Sequence, residues 1–123
     1  MRGEDLYLTD ILTAADAVAD YIRGVSWERF SGERMIRSAV IHELQTIGEA
    51  VSKLSGELKS RHAGLPWTEI VGFRNIVVHE YFGVDPAIVW RTATHNAPAV
   101  RNLVAGVLKA EYPETYSRFF ADR

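Results

Sequence analysis

The run Phe73-Arg74-Asn75-Ile76-Val77-Val78-His79-Glu80-Tyr81-Phe82 gathers a guanidinium, an amide, an imidazole and a phenol in one short stretch. On a helix, Arg74 and Tyr81 differ by only about 20° around the axis. Asn75 and His79, at i and i+4, lie side by side on an adjoining stripe. The four groups can therefore border one patch, and such a patch suits a phosphodiester. Arginine offers a forked, permanently charged donor to phosphate oxygens. Histidine, with an unperturbed pKa of about 6.5, gives or takes a proton near neutral pH. RNA carries its own nucleophile, the 2′-hydroxyl, so cutting it needs proton transfer and charge stabilisation but no metal.

Spacing alone does not carry that reading. With 11 Arg and four His in the chain, chance supplies about 0.4 Arg–His pairs at this separation. A second pair does occur, Arg37 and His42, with no Asn after the Arg and no Tyr two places beyond the His. On spacing alone a structural role is favoured for the Arg74 set too: an arginine capping nearby carbonyls and a histidine satisfied at a helix end. His79-Glu80 and His42-Glu43 begin like a zinc-protease helix, but neither has a histidine four residues after the first. A metal site built from His42, His62, His79 and His95 has no ligand spacing to support it. Gly48 lacks glycine-rich partners, so it is read as allowing close helix contact rather than cradling a phosphate. Glu49 beside it can pair with a basic group from another helix, such as Arg74, or sit in solvent. Trp67, Trp90 and the phenylalanines read as core aromatics, and Glu33–Arg37 and Lys53–Glu57 as weak surface pairs.

Helical periodicity recurs along the chain and strand-like alternation is nearly absent. A first helix is expected over about Asp5 to Arg23, with Leu8, Ile11, Leu12, Ala15, Val18, Ala19 and Ile22 on one stripe and Gly24 ending it. Trp27 and Phe30 then fall in a loop that plugs the bundle. Ser31 is expected to cap a long second helix reaching about Arg61. Its apolar residues Ile36, Val40, Leu44, Ile47, Val51, Leu54 and Leu58 form a heptad-like seam. Gly64-Leu65-Pro66-Trp67 breaks the chain, and a third helix should run from Pro66 to about Phe82, stopped by Gly83. Asp85-Pro86 starts a fourth, which carries Ile88, Val89, Ala93, Ala97, Val100, Leu103, Val104, Val107 and Leu108 on its apolar stripe. Pro98 should kink that helix near Thr94 to His95, where it removes a hydrogen bond. The sum is an all-α, up-and-down bundle of four main helices with room for a short fifth. It forms a single domain over 1–123, with its core at about 5–110 and a tail at 111–123 that docks Tyr116, Phe119 or Phe120 loosely.

Composition narrows the classes further. The chain has 123 residues, 47% apolar and 24% charged, which suits one globular domain with its own core. Zero cysteines exclude disulfides and thiolate sites within it. A net charge of −2 argues against coating nucleic acid by bulk positive charge, though not against one precise phosphate contact. No signal-peptide core or apolar run of membrane-spanning length is seen, so a cytoplasmic location is expected.

The pattern of Arg74, His79 and Tyr81 resembles the signature of HepT-like toxins in the HEPN superfamily. The likeness extends to Tyr7-Leu8-Thr9-Asp10-Ile11-Leu12, Glu33-Arg34, Ile47-Gly48-Glu49-Ala50, Pro66-Trp67 and His79-Glu80-Tyr81-Phe82-Gly83-Val84-Asp85. Phe73 stands where the family more often has Met, a packing change. The resemblance implies a HEPN-like helical fold and a metal-independent ribonuclease toxin needing no cofactor. Arg74 and His79 would be its catalytic pair, with Asn75 in support. It also implies a nucleotidyltransferase antitoxin that adenylylates Tyr81 and so silences the toxin, and a homodimer. Physical reasoning favours the dimer as well. Attack by the 2′-hydroxyl and departure of the 5′-oxygen benefit from a base and an acid at once, and a two-fold axis would supply two His79 side chains. Two other classes compete: a non-catalytic helical partner that docks a nucleotidyltransferase, and a purely structural dimerisation bundle. Transfer RNA and messenger RNA are equally open as targets.

Overall fold

The computed structural model describes residues 2–75 and 85–120, and over these the chain is an all-α bundle. Helix α1 (Glu4–Ile22) buries Leu8, Ile11, Leu12, Ala14, Ala15 and Val18 along one stripe. Gly24, at φ 72°, ends it in the left-handed conformation that glycine adopts without steric cost. Ala19, expected on the stripe, is instead exposed, and Ile22 is half-buried.

The segment expected as a loop is a short helix, α2 (Trp27–Gly32). Its cap is Ser26, whose side chain accepts from the Arg29 amide at 3.1 Å. Ser31 is therefore not the cap of the next helix. It lies inside α2, and its hydroxyl donates to the Glu28 carbonyl at 3.0 Å. Phe30 is fully buried, with its ring centroid 4.8 Å from that of Trp90. Trp27 closes the outside of that contact and stays partly exposed.

Helix α3 (Arg34–Ser52) is the spine, burying Val40, Ile41, Leu44, Ile47, Gly48, Ala50 and Val51. It is shorter than the heptad-like seam implies. Lys53 and Leu54 tighten onto the carbonyls of Ala50 and Val51, both at 3.1 Å, and α4 (Gly56–Arg61) starts afresh. Two hydrogen bonds fix that break. The Ser55 side chain accepts from the Leu58 amide, and the Ser55 amide donates to the Glu4 carboxylate at 2.5 Å. Leu54 and Leu58 remain buried, so the seam persists although the helix does not.

Helix α5 (Trp67–Val71) runs into a 3₁₀ turn (Gly72–Asn75), with Pro66 as its N-cap. The rest of the expected third helix, together with Gly83, lies outside the described residues. Helix α6 (Pro86–Arg91) has Asp85 as its cap, accepting from the Ala87 amide at 2.9 Å, with Pro86 in the first turn as expected. It passes into a π-helical segment (Thr92–Asn96) and then α7 (Ala97–Glu111). The distortion falls where Pro98 requires it. Proline has no amide to donate one turn back, and the Ala97 amide bonds to the Thr92 carbonyl, five residues away. Ile88 and Leu103, placed on the apolar stripe by periodicity, are exposed.

The tail is an ordered helix, α8 (Pro113–Phe120), rather than a loose appendage. Phe120 is buried, and the Thr115 hydroxyl reaches the Asp5 carboxylate at 2.9 Å. Helix α1 lies between α3 and α7, packing along both. Helix α5 and the 3₁₀ turn pack across α3, which sets the position of Arg74.

Candidate active site

Arg74 sits at the end of a short, tightly anchored path. Trp67 is buried, and its indole N–H is shared between the carbonyls of Lys59 and His62, at 3.2 and 3.0 Å. Ile70 and Phe73 are buried in turn, fixing the 3₁₀ turn on α3. The notch that admits this turn is Gly48. A Cβ there would lie 2.6 Å from the Arg74 amide nitrogen, 2.9 Å from the Val71 carbonyl oxygen and 3.1 Å from the Arg74 Cβ. Two of these atoms are backbone and cannot swing aside. Gly48 thus allows close approach, as its lack of glycine partners suggests, and what approaches is the backbone of Arg74.

The Arg74 guanidinium points into solvent with 43% of its side chain exposed. It lies 3.8 Å from the Glu49 carboxylate, beyond hydrogen-bond distance, and Glu49 is itself 53% exposed. An exposed pair at that separation is screened and contributes little to stability. The geometry holds the backbone of Arg74 rigidly and leaves its fork of donors largely uncommitted, which is what recognition of an external anion requires. Asn75 follows at the exposed end of the turn. His79 and Tyr81 lie outside the described residues.

The other Arg–His pair has a structural explanation. Arg37 donates to the carbonyls of Phe30 and Ser31, at 3.2 and 2.6 Å, and so ties the end of α2 to α3. It does not pair with Glu33, whose partner is Arg29 at 2.9 Å. Glu57 pairs with Arg61. Among the described residues no group of three or more His, Asp or Glu side chains could hold a metal ion. His42 is exposed on α3, His95 belongs to the π segment, and His62 meets Glu111.

That last contact belongs to a cluster that periodicity and spacing give no hint of. Arg61 donates to Glu111 through Nε at 3.1 Å and Nη2 at 2.8 Å, while His62 Nε2 lies 2.8 Å from the same carboxylate. The hydrogen bonds from Arg61, and next those with His62, hold the Glu111 carboxyl well below the usual range, at about 2. No helix among the described residues is long and apolar enough to cross a membrane.

Comparison with known proteins supplies a family. The family model described as ribonuclease HepT-like matches residues 11–107. The chain is 35% identical to "Putative RNase MJ1380" of Methanocaldococcus jannaschii, over 84% of this chain and 94% of that protein. It is 35% identical to "Putative RNase TTE0752" of Caldanaerobacter subterraneus subsp. tengcongensis, over 90% and 99%. With "Probable ribonuclease HepT" of Thermococcus cleftensis it shares 33% identity, over 81% and 91%. No solved structure matches the chain. The matched region takes in α1 from Ile11 onward, all of α3, the Gly48 notch and Arg74, and the protein belongs to the ribonuclease HepT-like family.

Proposed function

We propose that this protein is a metal-independent endoribonuclease, the toxin of a toxin–antitoxin pair, with Arg74 and His79 as its catalytic residues. The observation that carries the reading is the seat of Arg74: a backbone wedged against Gly48 and an exposed guanidinium that Glu49 only loosely engages, in a chain of a ribonuclease family.

In the proposed reaction the 2′-oxygen of the RNA attacks the adjacent phosphorus and the bond to the 5′-oxygen breaks. The 2′-hydroxyl proton passes to a base and the departing 5′-oxygen receives one from an acid. His79 of one subunit takes the first role, and a second group, His79 of a symmetry-related subunit in a homodimer, takes the other. Arg74 stabilises the charge that develops on the phosphoryl oxygens, with Asn75 in support. The products are a 2′,3′-cyclic phosphate and a free 5′-hydroxyl, with no net consumption of water. Silencing acts through Tyr81. A nucleotidyltransferase antitoxin transfers an adenylyl group from a nucleoside triphosphate to the phenol oxygen, releasing pyrophosphate and the phenol proton. The added negative phosphodiester and nucleoside then occupy the space a substrate phosphate needs.

The test is cleavage of labelled RNA by purified protein in excess chelator, with the product ends identified. Cyclic phosphate ends, lost in both Arg74→Ala and His79→Ala, are the expected result. Cleavage that survives both substitutions rejects the site. Mixed dimers with one His79→Ala subunit should lose most activity, and full activity would reject the shared site. Co-expression with a neighbouring nucleotidyltransferase gene should raise the intact mass by adenylyl units, absent from Tyr81→Phe.

A further inference from the structure

Beside Arg74 lies a groove that the proposed reaction does not use. It runs between α1 and α3, has a volume of about 220 Å³, and is lined by Arg2, Tyr7, Asp10, Thr46, Glu49 and Lys53. Glu49 is shared, since the same residue faces Arg74 at 3.8 Å. The groove and the guanidinium are therefore neighbours on one surface.

Its walls are unusually well prepared for a flat, aromatic ligand attached to an anion. The Arg2 guanidinium lies over the Tyr7 ring, 5.3 Å from its centroid. It is locked there by two hydrogen bonds to Asp10, at 2.6 and 3.1 Å. A phenol ring and a guanidinium held against it form a platform on which a nucleobase can stack. Asp10 neutralises Arg2, so the free positive charge comes from elsewhere. Lys53 makes no ion pair with any described residue and also lines the groove. Counting Arg2, Lys53 and Arg74 against Asp10 and Glu49, this surface is net positive in a chain that carries −2 overall. The volume suits one base, being smaller than pockets that enclose a whole drug-sized ligand.

We propose that this groove is a nucleobase subsite for single-stranded RNA. The base of a nucleotide neighbouring the scissile phosphate stacks on Tyr7 and Arg2, and Lys53 contacts the adjoining phosphate. This rests on the reading of Arg74 as the residue that binds the scissile phosphate. The subsite explains how an acidic protein holds RNA: stacking and two or three placed cations replace bulk charge.

The test measures binding of two single-stranded oligonucleotides of equal length, a 2′-fluoro oligoadenylate and a strand with the same phosphates but abasic sugars. The abasic sugars are 2′-deoxy, so neither strand has a 2′-hydroxyl to attack and binding is read without cleavage. Wild-type protein should bind the base-bearing strand about tenfold more tightly. Tyr7→Leu, which keeps apolar packing, and Arg2→Gln should each narrow that gap to less than about threefold, while Tyr7→Phe retains it. Lys53→Gln should weaken both strands alike and reduce the salt dependence by about one phosphate contact. Arg34→Gln, an exposed charge at the start of α3, should do neither. Should Tyr7→Leu fail to fold, Arg2→Gln and Lys53→Gln decide. Equal affinity of wild type for the two strands, or an unchanged gap in Arg2→Gln and Tyr7→Leu, overturns the subsite. A protein that cuts RNA but lacks the gap keeps the catalytic reading and loses this one, and a protein with the gap that cuts nothing does the reverse.

Discussion

Two arginine–glutamate contacts in this molecule use the same chemical groups to opposite ends. Arg61 and Glu111 form a two-pronged contact at 2.8 and 3.1 Å, with His62 added at 2.8 Å, and they bind the end of α4 to the end of α7. Arg74 and Glu49 approach only to 3.8 Å, on a surface open to water. The first contact fills the carboxylate with donors and leaves little to offer a ligand. The second fixes its arginine through the backbone, at Gly48, and leaves the side chain to an outside partner. An arginine held by its head builds structure, whereas one held by its backbone is ready to bind.

Substitutions at the two sites should therefore separate rate from stability. The largest effect is expected from Arg74→Ala. RNA cleavage should fall by about 10²–10³-fold, the usual loss when a donor to developing charge is removed. The melting temperature should barely move, because an exposed, loose pair contributes about 0–1 kcal/mol. Gly48→Ala should come next, through packing. The added methyl meets backbone atoms at 2.6 and 2.9 Å, so thermal unfolding should show a loss of about 1–3 kcal/mol. Cleavage should drop as Arg74 is pushed from its seat.

Glu111→Gln should lower the melting temperature without slowing cleavage by folded protein. The pH dependence gives a second readout. The Glu111 carboxyl lies at about 2 when folded, below its ordinary 4.5. Between those values the unfolded chain binds more protons, so stability rises with pH across the window. The contribution is complete above about 4.5 and lost as pH falls towards 2. Acid titrations of unfolding should therefore be shallower in the Gln variant over that range. The smallest effect is expected from Glu49→Gln. Removing the competing carboxylate should leave stability unchanged and tighten RNA binding only by a few-fold, as measured by fluorescence anisotropy.

What could be read from the chain divides along the line between local and distant causes. The end of α1 at Gly24, the Asp85-Pro86 start and the disturbance before Pro98 follow from residues acting within a turn or two, and all are legible. The break after Ser52 is legible only in part: the Ser55 cap on the Leu58 amide is local, but the group that captures the Ser55 amide is Glu4, 51 positions away. Arg61 and Glu111, 50 positions apart, are hidden for the same reason. The Ser26 cap is equally local, since its side chain accepts from the Arg29 amide three residues on. At the site, glycine at position 48 and a carboxylate at 49 suggest a close crossing and a partner. Only the fold reveals that the crossing element is the backbone of Arg74, because the contact depends on how the 3₁₀ turn packs across α3.

The most direct test sets the two contacts side by side. Single-turnover cleavage in chelator and thermal unfolding are measured on the same preparations of Arg74→Ala and Glu111→Gln. The account predicts opposite responses: Arg74→Ala loses at least about 100-fold in rate at an unchanged melting temperature, and Glu111→Gln melts lower but cuts at the wild-type rate while folded. Undiminished cleavage by Arg74→Ala, or a fall in melting temperature as large as that of Glu111→Gln, would contradict it.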